Sequence, residues 1–204
     1  MTHPRGIDVS HHQGTIDWRK VAASGVVFAF IKSTQGDYFT DPYFHRNRQA
    51  AKDAGILVGA YHYYDPNIEA AKQAKHFREV VGPVPAGELQ PMLDVEESRG
   101  KTPMFLVAHI AAVLADMEAL TSRHWGIYTY PDWWRRRVKN SEQFAMKQPL
   151  WIANYDVQTP TTLSWPFWSF WQDSSSGQVP GVAGRCDTDL FNGSMVALRR
   201  FAGL

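Results

Sequence analysis

The sequence predicts an α/β fold, an irregular barrel of about five βα units followed by three β-strands. Three observations carry this. Strand-like and helix-like patterns alternate through the first two thirds of the chain, which is the mark of a parallel sheet. Eight candidate strands are enough to close that sheet on itself. A regular TIM barrel takes about 250 residues. This chain has 204, and its last third is poor in helix. The expected barrel is therefore TIM-like but short of helices.

Gly6 to Ser10 reads as the first strand. Asp17 reads as an N-cap for a helix to about Ser24, stopped by Gly25. Val26 to Ile31 is a continuous apolar run, as expected of a strand buried on both faces. Asp41 and Pro42 read as an N-cap and a proline at the first helical position, opening a helix to about Ala54. Ile56 to Tyr64 is the third strand. A helix with Ile68, Ala71, Ala74 and Phe77 on one face follows, ending at Gly82. Pro91 to Glu96 is the fourth strand. Thr102 and Pro103 start the clearest helix, whose Leu106, Val107, Ile110, Val113, Leu114, Met117 and Leu120 follow helical spacing. Trp125 to Tyr130 is the fifth strand and Pro131 to about Val138 a short helix. Leu150 to Ala153, Phe167 to Gln172 and Asp187 to Phe191 read as strands in loop-rich surroundings, and Ser194 to Phe201 as a last helix.

Composition excludes several classes. Lys and Arg total 21 against 20 Asp and Glu, a net +1 that gives no drive toward nucleic acid or an anionic membrane. The apolar run Val26–Ile31 is far short of the ~20 residues a membrane helix needs. Cys186 is alone, so neither an intrachain disulfide nor a Cys-based zinc site is expected. Met1 to Gly6 shows no apolar stretch after its basic residue, so no standard secretory signal is expected there. No linker divides the chain, and residues 1–204 are read as one domain. Aromatic residues make up 13% of the sequence. They fill a core, or line a groove that stacks flat rings such as sugars.

In such a barrel chemistry sits at the C-terminal ends of strands. Asp8 falls at the end of the first strand, Asp94 and Glu96 at the end of the fourth. Positions i and i+2 on a strand share a face, so Asp94 and Glu96 should both reach the barrel mouth, with Glu97 turned away. Two adjacent carboxylates do not both ionise cheaply, and one pKa rises. A protonated carboxyl beside an ionised one is what glycosidic cleavage uses. The plainer alternative is that these acids cap helices or pair with Arg99 or Lys101. His11, His12 and His62 with Asp94 and Asp187 offer a rival, a metal-dependent hydrolase such as a polysaccharide deacetylase, but no metal-ligand His spacing occurs. Cys186 reads as a buried small side chain. Tyr61 and Tyr63 share one strand face, His62 and Tyr64 the other. Tyr63, Tyr128 and Trp151 are the expected groove aromatics, while Trp133 and Trp134 read as packing.

Gly6-Ile7-Asp8-Val9-Ser10-His11-His12-Gln13-Gly14 resembles the opening motif of the family-25 glycoside hydrolases, the N-acetylmuramidase lysozymes. The likeness continues through Phe30 to Gly36, Gly59 to Tyr63, Leu93 to Glu96, Leu150 to Tyr155, Phe170 to Gln172 and Asp187 to Gly193. The resemblance implies peptidoglycan as substrate. It implies cleavage of the β-1,4 bond between N-acetylmuramic acid and N-acetylglucosamine, with retention and help from the substrate's 2-acetamido group. It puts the general acid on Glu96, the assisting aspartate on Asp94 and two further acids on Asp8 and Asp187. Its motifs also bring Lys32, Tyr155 and Gln172 to the groove. It implies no cofactor and no metal, a monomer acting on the cell wall in the extracellular or periplasmic space, and neither nucleic-acid binding nor membrane insertion. Two positions depart from the family pattern: Gln35 stands where Glu is usual and Asp189 where Asn is usual. No wall-binding repeats follow, so targeting is expected from the groove or a partner. A chitinase-like glycosidase and a non-catalytic glycan-binding barrel remain the alternatives.

Overall fold

A computed structural model describes residues 3–204. Met1 and Thr2, which the signal-peptide reading includes, lie outside these residues. β1 (Arg5–Val9), β2 (Val26–Gln35), β4 (Leu57–Tyr63), β5 (Met92–Asp94), β6 (Gly126–Thr129), β7 (Leu150–Ala153) and β8 (Phe170–Gly177) run parallel in the order β1-β2-β4-β5-β6-β7-β8. β9 (Cys186–Phe191) runs the other way and pairs with both β8 and β1, closing an eight-stranded barrel. β3 (Phe39–Thr40) is a two-residue antiparallel addition to the end of β2, absent from the sequence-based expectation. Helices α1 (Trp18–Ala23), α2 (Phe44–Asp53), α3 (Ala70–Val81), α4 (Pro103–Thr121) and α5 (Pro131–Arg137) complete five βα units, and α6 (Met195–Phe201) follows β9.

Period-2 alternation sorts the apolar residues into two layers. Phe28 and Phe30 of β2, Met92, Trp151, Phe170 and Phe191 pack together inside the barrel. Ala29, Ile31, Val58, Leu93, Ile127 and Ile152 point outward, into the layer shared with the helices. The large rings inside need room opposite them. A Cβ on Gly59 would lie 2.7 Å from Phe30 Cδ1 and 3.0 Å from Leu89 Cβ, so only glycine fits there.

Several helix ends form as their sequences dictate. Asp17 accepts from Lys20 N at 3.2 Å, Thr102 from Phe105 N at 3.3 Å and Ser194 from Ala197 N at 3.2 Å. Asp41 does not do so. α2 starts three residues later, with no side-chain cap. The Asp41 carboxylate instead accepts from Tyr43 N at 2.9 Å and from both His11 N and His11 Nδ1 at 2.8 Å. It ties the β1 exit to the β2–α2 connection rather than capping a helix. In α3, Ala71 is exposed and Gln73 is buried in its place, because Gln73 bonds a core histidine. Ile68 precedes that helix, and Leu120 on α4 is exposed. α4 is long and apolar enough to cross a membrane by length and composition, which the short uninterrupted runs conceal. Its Leu106, Ile110, Val113, Leu114 and Met117 are buried in the outer core layer.

Two strands overrun their predicted ends. β2 continues to Gln35, and β8 begins at Phe170 rather than Phe167, which is exposed, and reaches Gly177. Beyond Gln172, where its pairing with β7 ends, β8 continues with β9 as a hairpin standing above the barrel mouth. The hairpin loop is tied down by Asp17 N donating to Gly181 O at 2.8 Å.

Gly59→Ala forces a methyl against two fully buried side chains. Overpacking of this kind costs about 1–3 kcal/mol. In a chain of this length each kcal/mol lowers Tm by roughly 2–4 °C. Calorimetry of the variant measures the shift, and an unchanged Tm would show that the lumen is looser than described.

Candidate active site

One cavity of about 260 Å³ opens at the C-terminal mouth of the barrel, and its walls include Asp8, Lys32, Tyr63, Asp94, Glu96 and Asp187. Each carboxyl arrives by strand geometry. Asp8 is the fourth residue of β1, and its Cα partner across the antiparallel β1–β9 pair is Asp187. Like charges placed directly opposite repel, so this register disfavours ionising both. Asp94 ends β5. The extended backbone persists one step further, because Val95 N donates to Tyr128 O at 2.8 Å. Glu96 therefore returns to the face of Asp94 while Val95 is buried on the other side. Glu97 turns away, its Oε1 accepting from Ser98 N at 2.8 Å and Arg99 N at 3.0 Å.

The electrostatics follow from burial. Asp94 is 6% exposed, and its carboxyl is held well above the usual range by loss of solvent and then by Glu96, against the pull of Lys32. Its Oδ1 is buried with no hydrogen-bond partner among the described residues. Glu96, partly exposed at the rim, is also raised by burial, while the Tyr63 phenol and Lys32 pull it back down. Asp8 is raised well above its ordinary value by burial and by the charges of Asp189 and Asp187. Burial likewise raises Asp187. Burial lowers Lys32, opposed by Asp94, Asp41 and Glu96.

Gln172 organises one wall. Its Nε2 donates to Asp8 Oδ2 at 2.6 Å, and its Oε1 accepts from Tyr128 OH at 2.9 Å and Tyr155 OH at 2.5 Å. Only one orientation of the amide satisfies all three partners. Trp151 forms the floor. It is 1% exposed, stacks on Phe30 with ring centres 4.5 Å apart and donates from Nε1 to Asp189 Oδ1 at 2.7 Å. Its ring thus meets the cavity from below rather than offering an open stacking face. Tyr63 is the half-buried aromatic, with Lys32 Nζ 4.6 Å from its ring centre.

The structure thus brings Asp8, Asp94, Glu96, Asp187, Lys32, Tyr63, Tyr128, Trp151 and Gln172 to one cavity, with Tyr155 joined to it through Gln172. His12, weighed above only as a metal ligand, and Tyr61, placed on the face of Tyr63, also line it, as do Ser10 and Gln13, which the sequence reading does not single out. The Ser10-x-x-Gln13 spacing was the available signal. It forms a capping box on the His11–Gln13 turn, with Gln13 Oε1 accepting from Ser10 N at 2.9 Å. Gln35 lies outside the cavity wall, its Oε1 accepting from Lys32 Nζ at 3.3 Å. Asp189 is 1% exposed, and burial holds its carboxyl well above the usual range.

The rival metal reading loses a ligand. His62 is fully buried on the opposite strand face, its Nδ1 accepting from Thr34 Oγ1 at 2.8 Å and its Nε2 donating to Gln73 Oε1 at 3.1 Å. Cys186 is buried, and burial raises its thiol. A second cavity of about 290 Å³ lies at the other end of the barrel, lined mainly by Pro149, Leu150, Trp165, Trp168 and Phe191. It holds no carboxyl group to do acid–base work.

Several carboxyl groups crowded in a polar cleft at the mouth of an α/β barrel are the equipment of a glycoside hydrolase. The chain belongs to the glycosyl hydrolases family 25, whose family model matches residues 7–182. It is 37% identical to lysozyme M1 of Streptomyces globisporus over 208 residues, covering 97% of this chain and 71% of that one. Its structure is similar to that of the bacterial lysozyme from Streptomyces coelicolor, with TM-score 0.94, 36% identity, and 99% and 98% of the two chains covered. It is also similar to the muramidase from Trichobolus zukalii, with TM-score 0.91, 30% identity and 98% of each chain covered.

Two stability effects follow from these carboxyl and imidazole groups. A carboxyl raised in the folded state binds its proton more tightly there than in the unfolded chain. Its contribution to stability is full below the ordinary value near 4 and is lost as pH rises through the raised value. Asp94→Asn and Glu96→Gln should therefore raise Tm at pH 7, by an amount that shrinks toward pH 4. Scanning calorimetry across that range checks it. His62 behaves oppositely. Burial pushes it down to about 3, so the unfolded chain takes up a proton there first. Stability falls as pH drops from about 6.5 toward 3. Urea unfolding of wild type and His62→Asn should show a shallower acid slope in the variant.

Proposed function

We propose that this chain is a peptidoglycan muramidase, acting as one catalytic domain over residues 1–204. It hydrolyses the β-1,4 bond between N-acetylmuramic acid and N-acetylglucosamine with retention. The observation that carries this reading is the pairing of a deeply buried Asp94 with a rim carboxyl, Glu96, in one cleft faced by Asp8 and Asp187. Membership of family 25 and the lysozyme and muramidase relatives support it.

Glu96 is the general acid. The Asp94–Glu96 pair titrates as a unit, and the substrate decides where its proton sits. A sugar covering the rim removes water from Glu96 and favours its protonated form. An acetamido N–H donated to the unpartnered Oδ1 of Asp94 favours ionised Asp94. The acetamido oxygen then attacks the anomeric carbon as the bond to the leaving sugar breaks, and the Glu96 proton goes to the departing oxygen. Ionised Asp94 stabilises the cationic ring so formed. Water opens that ring from the same face as the departed sugar, giving its proton to Glu96, so configuration is retained.

Asp8, fixed by Gln172, and Asp187 opposite it hold the sugar, and the charge of Asp187 helps to keep the Glu96 carboxyl raised. Tyr63, Tyr128, Trp151, Tyr155, Lys32 and Gln172 shape the groove. The enzyme acts on the cell wall, in the extracellular or periplasmic space, as a monomer. It uses no cofactor or metal and engages neither nucleic acid nor membrane.

Mass spectrometry of products from purified peptidoglycan tests the reading. Wild type should release fragments with muramic acid at the reducing end. Folded Glu96→Gln should lose roughly 10²–10⁴ of the turnover, the usual contribution of general acid–base catalysis. Glucosamine at the reducing end would replace the muramidase by a glucosaminidase or chitinase-like enzyme. Near-normal turnover by Glu96→Gln would remove its role.

A further inference from the structure

Glu96 has open space on two sides. That carboxyl also lines a second depression of about 180 Å³, whose other walls include Glu97, Ser98, Tyr130, Asp132, Arg136 and Arg137. α5 ends there in three consecutive arginines, Arg135, Arg136 and Arg137, all exposed. Two are engaged. Arg136 Nε sits 2.7 Å from Asp132 Oδ1, and Arg135 Nη2 donates to Thr161 Oγ1 at 3.4 Å. Arg137 is not: among the described residues its guanidinium has neither an ion pair nor a side-chain hydrogen bond. Its charge is felt by the Tyr130 phenol, which lines the same depression.

The position of Glu96 says what lies on each side. A general acid marks the scissile bond. The acid-rich cavity takes the sugar whose anomeric carbon reacts, so the depression beyond Glu96 receives the leaving-group side of the strand. On the muramidase reading the first sugar past that bond is N-acetylglucosamine, and the next is a muramyl unit whose stem peptide brings carboxyl groups to this side. A planar guanidinium with several free N–H donors matches a carboxylate better than any other side chain does.

We infer that Arg137, with Arg136 beside it, binds a carboxylate of the stem peptide on the leaving-group side, and so selects acidic, peptide-bearing strands. The inference rests on the muramidase reading. Phosphate on attached wall polymers shares this anion chemistry. The stem is favoured because the depression shares Glu96 with the cleft where the strand itself is cut.

Soluble uncrosslinked strands in three forms test it. The first carries stems with free α-carboxylates and no phosphate polymers, the second has been stripped of stems by an amidase, and the third retains its phosphate polymers. On the first, Arg137→Ala should raise KM roughly three- to tenfold with kcat little changed, the loss of one exposed charge-assisted contact. Arg137→Lys should fall between. The difference should fade as salt is raised, since exposed charges are screened. On the stripped strands wild type and Arg137→Ala should be equal. An equal loss on both substrates, or no loss on either, overturns the inference. An effect confined to the phosphate-bearing strands transfers the site to those polymers and overturns it too. Wild-type products from the stripped strands stand as a separate control. If they lack muramic acid ends, the muramidase reading fails, whereas the ratio of the two KM values tests Arg137 alone.

Discussion

The pairing of β9 with β1 is the constraint on which the rest depends. Seven parallel strands leave two edges, and a reversed eighth strand joins them. Closure removes the exposed edges, and it also fixes chemistry. The register that satisfies the backbone sets Asp187 directly across from Asp8 and brings Asp189 over Gly6. Three acids meet at one seam because period-2 alternation along β9 turns Asp187 and Asp189 to the same face as Phe191, which packs in the lumen, while Cys186 and Leu190 join the outer layer.

That arrangement is a source of instability that the surrounding fold must offset. Asp8, Asp94 and Asp189 are each nearly inaccessible to solvent, and their raised pKa values express the penalty of burying charge. The offset is local and specific. Gln172 gives Asp8 a donor and is itself fixed by two phenols, and Trp151 gives Asp189 an indole N–H. The aromatic lumen beneath holds these side chains in place. The high aromatic content therefore serves the barrel interior first and the groove second.

Much of this was legible in the sequence. Alternation placed Asp94 with Glu96, and Tyr61 with Tyr63, because a strand has a fixed period and the local ladder kept it. The five βα units followed from apolar runs punctuated by Gly and Pro. Asp41 was misread because a cap depends only on neighbours, whereas this carboxylate is claimed by His11, thirty positions away. Gln73 was missed because nothing in a helical pattern announces that a buried histidine needs an acceptor. The alternation that puts Trp151 among the groove aromatics carries no information on depth, which in a closed barrel is set by neighbours across the lumen such as Phe30. The extension of β2 to Gln35 depends on β3, a two-residue partner too short to carry any pattern.

The β8–β9 hairpin separates two properties that enzymes often find coupled. Its base carries Gln172 and Asp187, which belong to the closed ladder and cannot move without disturbing the reacting groups. Its tip, between Gly177 and Cys186, carries none of these groups and is anchored apart from them, by Asp17 N donating to Gly181 O and by Val179, which is buried in the outer core layer. Lengthening or trimming that tip would change how tall a wall flanks the polysaccharide while leaving the bond-breaking centre untouched. Variation in reach can thus accumulate on this scaffold independently of variation in chemistry.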